Sequence, residues 1–182
     1  MDRVPADRPQ PWMAAPAEIH ELSARVSAQD FWAVVEAFGD ETRRWFFTGQ
    51  GRSGLVAAQI AMRLMHLGRD CHVVGEATTP AIREGDGLLV ISGSGATHSS
   101  IHFARVARAE GAAIVAVSRR RDSPLAAISD ILLYLPVAQT AQLGGNLFEQ
   151  SALVLLDSVL NTLAASLPDP AAGLRLRHAN LQ

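Results

Sequence analysis

Short apolar runs and amphipathic stretches take turns along this 182-residue chain, and that alternation leaves it few folds. Trp45-Phe46-Phe47-Thr48 is an aromatic, β-favouring run that ends in glycines, which predicts a buried strand. Leu55, Ala58, Ile60, Ala61, Leu64 and Met65 then recur at helical spacing between Ser53 and Leu67, and Gly68 stops the helix. The same pattern predicts strands at Cys71–Val74, Leu88–Ser92, Ala113–Val117 and Ile131–Leu135, with helices at Thr97–Glu110, Ser123–Ile128 and Leu147–Ser166. Ahead of the first strand, Ile19, Leu22, Val26, Phe31, Val34, Val35 and Phe38 mark an amphipathic helix over about 17–38, with a break near Ser27–Asp30. Apolar strands separated by helices require a parallel sheet covered on both faces. The expected fold is α/β: a three-layer, doubly wound sandwich on a five-stranded parallel sheet, preceded by an N-terminal helix. Residues 1–16, rich in proline and polar groups, read as a flexible segment, 17–167 as a single domain and 168–182 as a polar tail.

Composition then removes whole classes of chemistry. All 16 basic residues are arginine, so Schiff-base catalysis, a lysine general base and a Walker-type phosphate lysine are excluded. The net charge of −2 argues against a dedicated nucleic-acid binder. Cys71 is the single cysteine, so no internal disulfide and no cysteine-based metal site can form. Apolar runs stop short of the roughly 18 residues a spanning helix needs, and the first residues lack a signal-type apolar core. A cytoplasmic protein with neither membrane nor nucleic-acid partners is expected.

In sheets of this kind ligands bind beyond the carboxyl ends of the strands. Two loops are built for that place: Thr48-Gly49-Gln50-Gly51-Arg52-Ser53-Gly54 after the first strand, and Ser92-Gly93-Ser94-Gly95-Ala96-Thr97-His98-Ser99-Ser100 after the third. Glycines let backbone N–H groups approach an anion, and each loop aims a helix N-terminus, roughly half a positive charge, at it. The hydroxyls of Ser53, Ser92, Ser94, Thr97 and Ser99 add neutral donors, and Arg52 offers a charge. Such a pair suits a phosphate. Taken singly, either loop could consist of turn and capping residues alone. A rival reading takes Gly49-x-Gly51-x-x-Gly54 as a dinucleotide fingerprint, with Glu76 as the ribose-binding acid. It gives the hydroxyl-rich second loop no role, and the chain is short for a dinucleotide domain plus a substrate domain.

Glu149 lies where Leu143-Gly144-Gly145-Asn146 runs into the last long helix. Asn146 as N-cap with Glu149 three residues on is a capping-box pattern. The same carboxylate, half-buried among Leu147 and Phe148, could instead face a pocket and move a carbon-bound proton. Both readings stand on sequence alone. His98 and His102, four apart on one helix, lack a third ligand nearby and fit a solvated face better than a metal site. His66 near a helix C-terminus fits a cation placed against the dipole or a packed histidine, and Cys71 a small buried hydrophobe.

These residues resemble the SIS (sugar isomerase) domain and, within it, the 6-phospho-3-hexuloisomerase family. The likeness runs from about Trp45 to Ala164. It is carried by Gly49-x-Gly51-Arg52-Ser53-Gly54, Val73-Val74-Gly75-Glu76, Ile91-Ser92-Gly93-Ser94-Gly95, Asp122-Ser123 and Leu147-Phe148-Glu149, and most specifically by Met62-Arg63-Leu64-Met65-His66-Leu67-Gly68. The resemblance implies interconversion of D-arabino-hex-3-ulose 6-phosphate and D-fructose 6-phosphate through a cis-enediol, in the ribulose monophosphate route of formaldehyde fixation. It implies Glu149 as catalytic base, and Gly51, Arg52, Ser53, Ser92, Gly93, Ser94, Gly95 and Thr97 around the phosphate. His66 would reach a neighbouring subunit's site in a homodimer or homotetramer. No metal or organic cofactor is implied, and the functional partner would be 3-hexulose-6-phosphate synthase. Ala96 departs from the glutamate usual after Ser-Gly-Ser-Gly, and Gln50 from a small residue. A phosphosugar-sensing module without catalysis, or an isomerase of another sugar phosphate, are the competing functions.

Overall fold

The computed structural model describes residues 10–137 and 139–181. Its centre is a sheet of β1 (Trp45–Gly49), β2 (Cys71–Val73), β3 (Gly87–Ile91), β4 (Ala113–Ser118) and β5 (Ile131–Tyr134), all parallel, in the order β2-β1-β3-β4-β5. Alternate residues of each strand feed opposite layers. Trp45, Phe47, Leu89, Ile91, Val115 and Val117 enter one core, and Phe46, Leu88, Val90, Ile114 and Ala116 enter the other. This two-sided burial is why the strands read as unbroken apolar runs.

The first and larger layer holds α1 (Ala14–Ser23), α2 (Ala28–Gly39), α3 (Arg52–His66) and α6 (Asn146–Ala165); the second holds α4 (His98–Ala109) and α5 (Pro124–Ala127). The break expected near Ser27–Asp30 is the α1–α2 junction, where the Ser27 hydroxyl accepts the Asp30 N–H at 3.2 Å and caps α2. Two ends differ from the sequence reading. Of the segment 1–16, residues 1–9 lie outside the described residues, while Pro11–Met13 form a 3₁₀ turn leading into α1. The polar stretch after Pro168 contains a further helix, α7 (Pro170–Arg177), capped by Asp169 and packed on α3. Weak amphipathicity hid it, because only one edge of α7 meets the domain.

Strand order reverses its direction of growth between β1 and β3. Their following helices, α3 and α4, leave on opposite faces, so the loops after these two strands part and open a crevice. Those are the two glycine loops.

Candidate active site

The β1–α3 turn is held tight by a close approach that only glycine allows. A Cβ on Gly49 would lie 2.7 Å from the carbonyl of Ser53, and Gly51 has φ +56° at the helix N-cap. No side chain caps α3 or α4. Their first N–H groups are thus left for a ligand. Thr97, the N-cap of α4, does not use its hydroxyl for capping; that oxygen accepts from Ser92 Oγ at 3.3 Å and lies 3.5 Å from Ser94 Oγ. The Ser94 and Thr97 hydroxyls therefore face the crevice, backed by the buried Ser92. No side-chain capping bond forms at either helix, and the Ser94 hydroxyl accepts the Ala96 N–H at 3.2 Å within the turn.

Across the crevice, Gly144 and Gly145 both adopt left-handed conformations, φ +65° and +79°. They start α6 one residue earlier than the capping-box reading placed it: Gly145 is the N-cap, Asn146 the first helical residue, and no side-chain capping bond forms. Glu149 is released from that role. Its Oε1 accepts from Ser53 Oγ at 3.5 Å, its Oε2 lies 3.5 Å from the Arg52 guanidinium, and its side chain is 19% exposed. Arg52 also donates to the Gly144 carbonyl, tying the first loop to the entry of α6.

Glu149 opens into one cavity of about 240 Å³ together with Ser53, Gly93, Ser94, Thr97, Gly144, Gly145, Phe148 and Arg119. Both loops and the carboxylate converge there. Gly51 stands at the α3 N-cap beside it. Ser92 is buried behind it, and Gly95 turns the second loop with φ +61°. Arg119 enters the cavity from the loop after β4, within the run Arg119-Arg120-Arg121, which by composition alone reads as a solvated loop. Glu76 does not line this cavity and is exposed at the end of edge strand β2.

His66 lies elsewhere. It closes α3, so about 20 Å of helix separates it from Ser53. It is buried against α7, with its ring stacked on His178 at 5.6 Å and its Nδ1 without a hydrogen-bond partner. Burial, then the charges of His178 and Arg63, lower its pKa from 6.5. His98 and His102 are exposed, and among the described residues no three His, Cys, Asp or Glu side chains cluster as metal ligands. No single described helix is long and apolar enough to cross a membrane.

The SIS domain family model matches residues 40–164. A 3-hexulose-6-phosphate isomerase of Mycobacterium gastri is 40% identical over 173 residues, covering 91% of this chain and 86% of the relative. That of Bacillus subtilis is 33% identical over 174 residues, covering 91% and 94%. A crystal structure of a protein from Methanococcus jannaschii, from which a molecular function of 3-hexulose-6-phosphate isomerase was inferred, superimposes with a TM-score of 0.82 at 28% identity, covering 94% of this chain and 98% of that one. The family match runs through all five strands, both glycine loops and the helix that carries Glu149, and the chain belongs to the SIS domain family.

Proposed function

We propose that this chain is a 3-hexulose-6-phosphate isomerase, interconverting D-arabino-hex-3-ulose 6-phosphate and D-fructose 6-phosphate. One observation carries the reading: the Glu149 carboxylate opens into the same cavity as the hydroxyls of Ser53, Ser94 and Thr97. The phosphate is the handle, received by two helix N-termini and these alcohols. Holding it fixes the open-chain sugar against Glu149 and lowers the entropic part of the barrier. Glu149 then takes the proton from the carbon beside the carbonyl and returns it to the former carbonyl carbon, by way of a cis-enediol, while the substrate's own hydroxyl proton passes to the former carbonyl oxygen. Arg52, paired with that carboxylate, orients it. A base and fixed donors suffice for this chemistry, so the reading is cofactor-free.

The reading extends to a homodimer or homotetramer, in which His66, remote from its own cleft, serves a neighbouring subunit. It extends also to a cytoplasmic reaction supplied by 3-hexulose-6-phosphate synthase. In it, residues 17–167 are one SIS domain that α7 buttresses from outside.

Glu149→Gln keeps the shape and removes the base. It is expected to lower kcat for fructose 6-phosphate about 10²- to 10⁴-fold, with KM little changed. Full turnover in this variant would remove Glu149 from the mechanism. A wild-type protein that binds fructose 6-phosphate without converting it would favour the sensing module.

A further inference from the structure

The loop after β4 forms a third wall of the cleft, and it is locked to the second glycine loop. The Arg119 N–H donates to the Gly93 carbonyl at 3.3 Å, the Ser118 hydroxyl donates to the same oxygen at 3.4 Å, and the Leu125 N–H donates to the Gly95 carbonyl at 3.0 Å. Arg119 lines the cavity that holds Ser94, Thr97 and Glu149, and also the adjoining cavity of about 330 Å³ that continues outward past Asp122.

Its neighbours in the run are spoken for. Arg120 makes a two-pronged contact with Asp122 at 3.2 and 3.0 Å. Arg121 pairs with Asp30 at 3.1 Å and lies over the Tyr134 ring at 4.3 Å. Arg52, the cation at the first loop, is committed to Glu149 and the Gly144 carbonyl. Among the described residues Arg119 has no carboxylate within ion-pair distance and no side-chain hydrogen bond. Its side chain is solvent-exposed and adds positive charge to the mouth of a cavity walled by helix N-termini and hydroxyl donors, where the Glu149 carboxylate is already paired with Arg52. That field favours an entering anion.

We propose that Arg119 binds the substrate phosphate, forming charge-assisted hydrogen bonds to its oxygens, and makes the seat select phosphorylated over uncharged sugars. The fork of a guanidinium matches two phosphate oxygens at once, which a lysine could not do. The inference deepens the isomerase reading and rests on it for the identity of the ligand; the seat itself is tested with inorganic phosphate.

Arg119→Gln is expected to raise KM for fructose 6-phosphate about tenfold and to weaken competitive inhibition by inorganic phosphate by a similar factor, with kcat changed less than about threefold. Arg119→Lys should recover part of both losses, and Arg120→Gln, already paired with Asp122, should shift neither constant beyond about twofold. Calorimetric titration with inorganic phosphate reads the same seat without turnover. Unchanged constants in a folded Arg119→Gln protein, or a loss confined to kcat, overturn the proposal. A wild type that binds phosphate in an Arg119-dependent manner but never converts fructose 6-phosphate would overturn the isomerase reading and leave this one standing.

Discussion

Gly95→Ala tests whether the second loop is as tightly specified as its geometry demands. Gly95 has φ +61°, a conformation costing an L-residue about 1–2 kcal/mol. An added Cβ would lie 2.2 Å from Ser123 Oγ, 2.5 Å from Ser123 Cβ and 3.1 Å from Ser118 Oγ. Ser123 has little room to yield: it is buried, its hydroxyl donates to the Arg120 carbonyl at 3.2 Å, and that oxygen accepts the Ala126 N–H at 3.2 Å to cap α5. Overpacking of this kind adds about 1–3 kcal/mol. The sum is roughly 2–5 kcal/mol, a large share of the ~5–15 kcal/mol that holds a domain together. Urea unfolding at fixed protein concentration should show the midpoint falling by about 1 M or more with the slope unchanged. Measuring the same substitution in a Ser123→Gly background separates the two costs. There the two clashes with Ser123 are gone, leaving the backbone part of about 1–2 kcal/mol and the milder 3.1 Å approach to Ser118 Oγ, so the cycle should return a coupling of up to about 1–3 kcal/mol. A Gly95→Ala protein within about 0.5 kcal/mol of wild type, or an equal loss in both backgrounds, would refute the reasoning.

Two other groups report on regions away from the cleft. His66 has its pKa lowered from 6.5 by burial and by the charges of His178 and Arg63, so the unfolded chain binds more protons below that value. Stability is therefore complete above about pH 6.5 and declines as pH falls through it, by at most about 1.4 kcal/mol per pH unit for one proton. Melting temperatures between pH 7.5 and 5.5 should show this decline, and His66→Phe should flatten it; an unchanged slope in the variant would clear His66. Burial pushes the Cys71 thiol up to about 12, so the native protein should resist thiol reagents at pH 8 and react fully once unfolded in urea. Rapid native labelling would contradict that placement.

The sheet was legible because its signals are local. Each strand carries its own apolar run, and Gly49, Gly68 and Gly95 punctuate the chain where backbone geometry requires them. The two loops could be assigned to one end of the sheet because a parallel topology puts every strand-to-helix loop there. Glu149 stood undecided between cap and base, since both uses share the same spacing from Asn146. The pair of left-handed glycines makes Gly145 the N-cap, so no capping-box bond forms and the carboxylate lies beside Ser53, a residue 96 positions away. No periodicity contains that information. α7 escaped notice for a related reason, its amphipathicity being too faint to register before α3 was in place.

Arg119 shows the limit most plainly, and why the cleft has to be read as a whole. In the sequence, Arg119, Arg120 and Arg121 are indistinguishable, and a run of arginines on a loop is ordinarily a solvated face. Pairing separates them: Asp122 takes the second, and Asp30 and Tyr134, far off in the chain, take the third. Arg52 lies inside a phosphate-type loop, yet it is bound to Glu149 and Gly144. A lysine-free chain has only guanidinium groups with which to meet a dianion at full charge, and Arg119, which has no carboxylate partner among the described residues, lines the cavity where both glycine loops meet. On the proposed reading, charge in this cleft is divided by partner: Arg52 holds the Glu149 carboxylate, and Arg119 meets the phosphate.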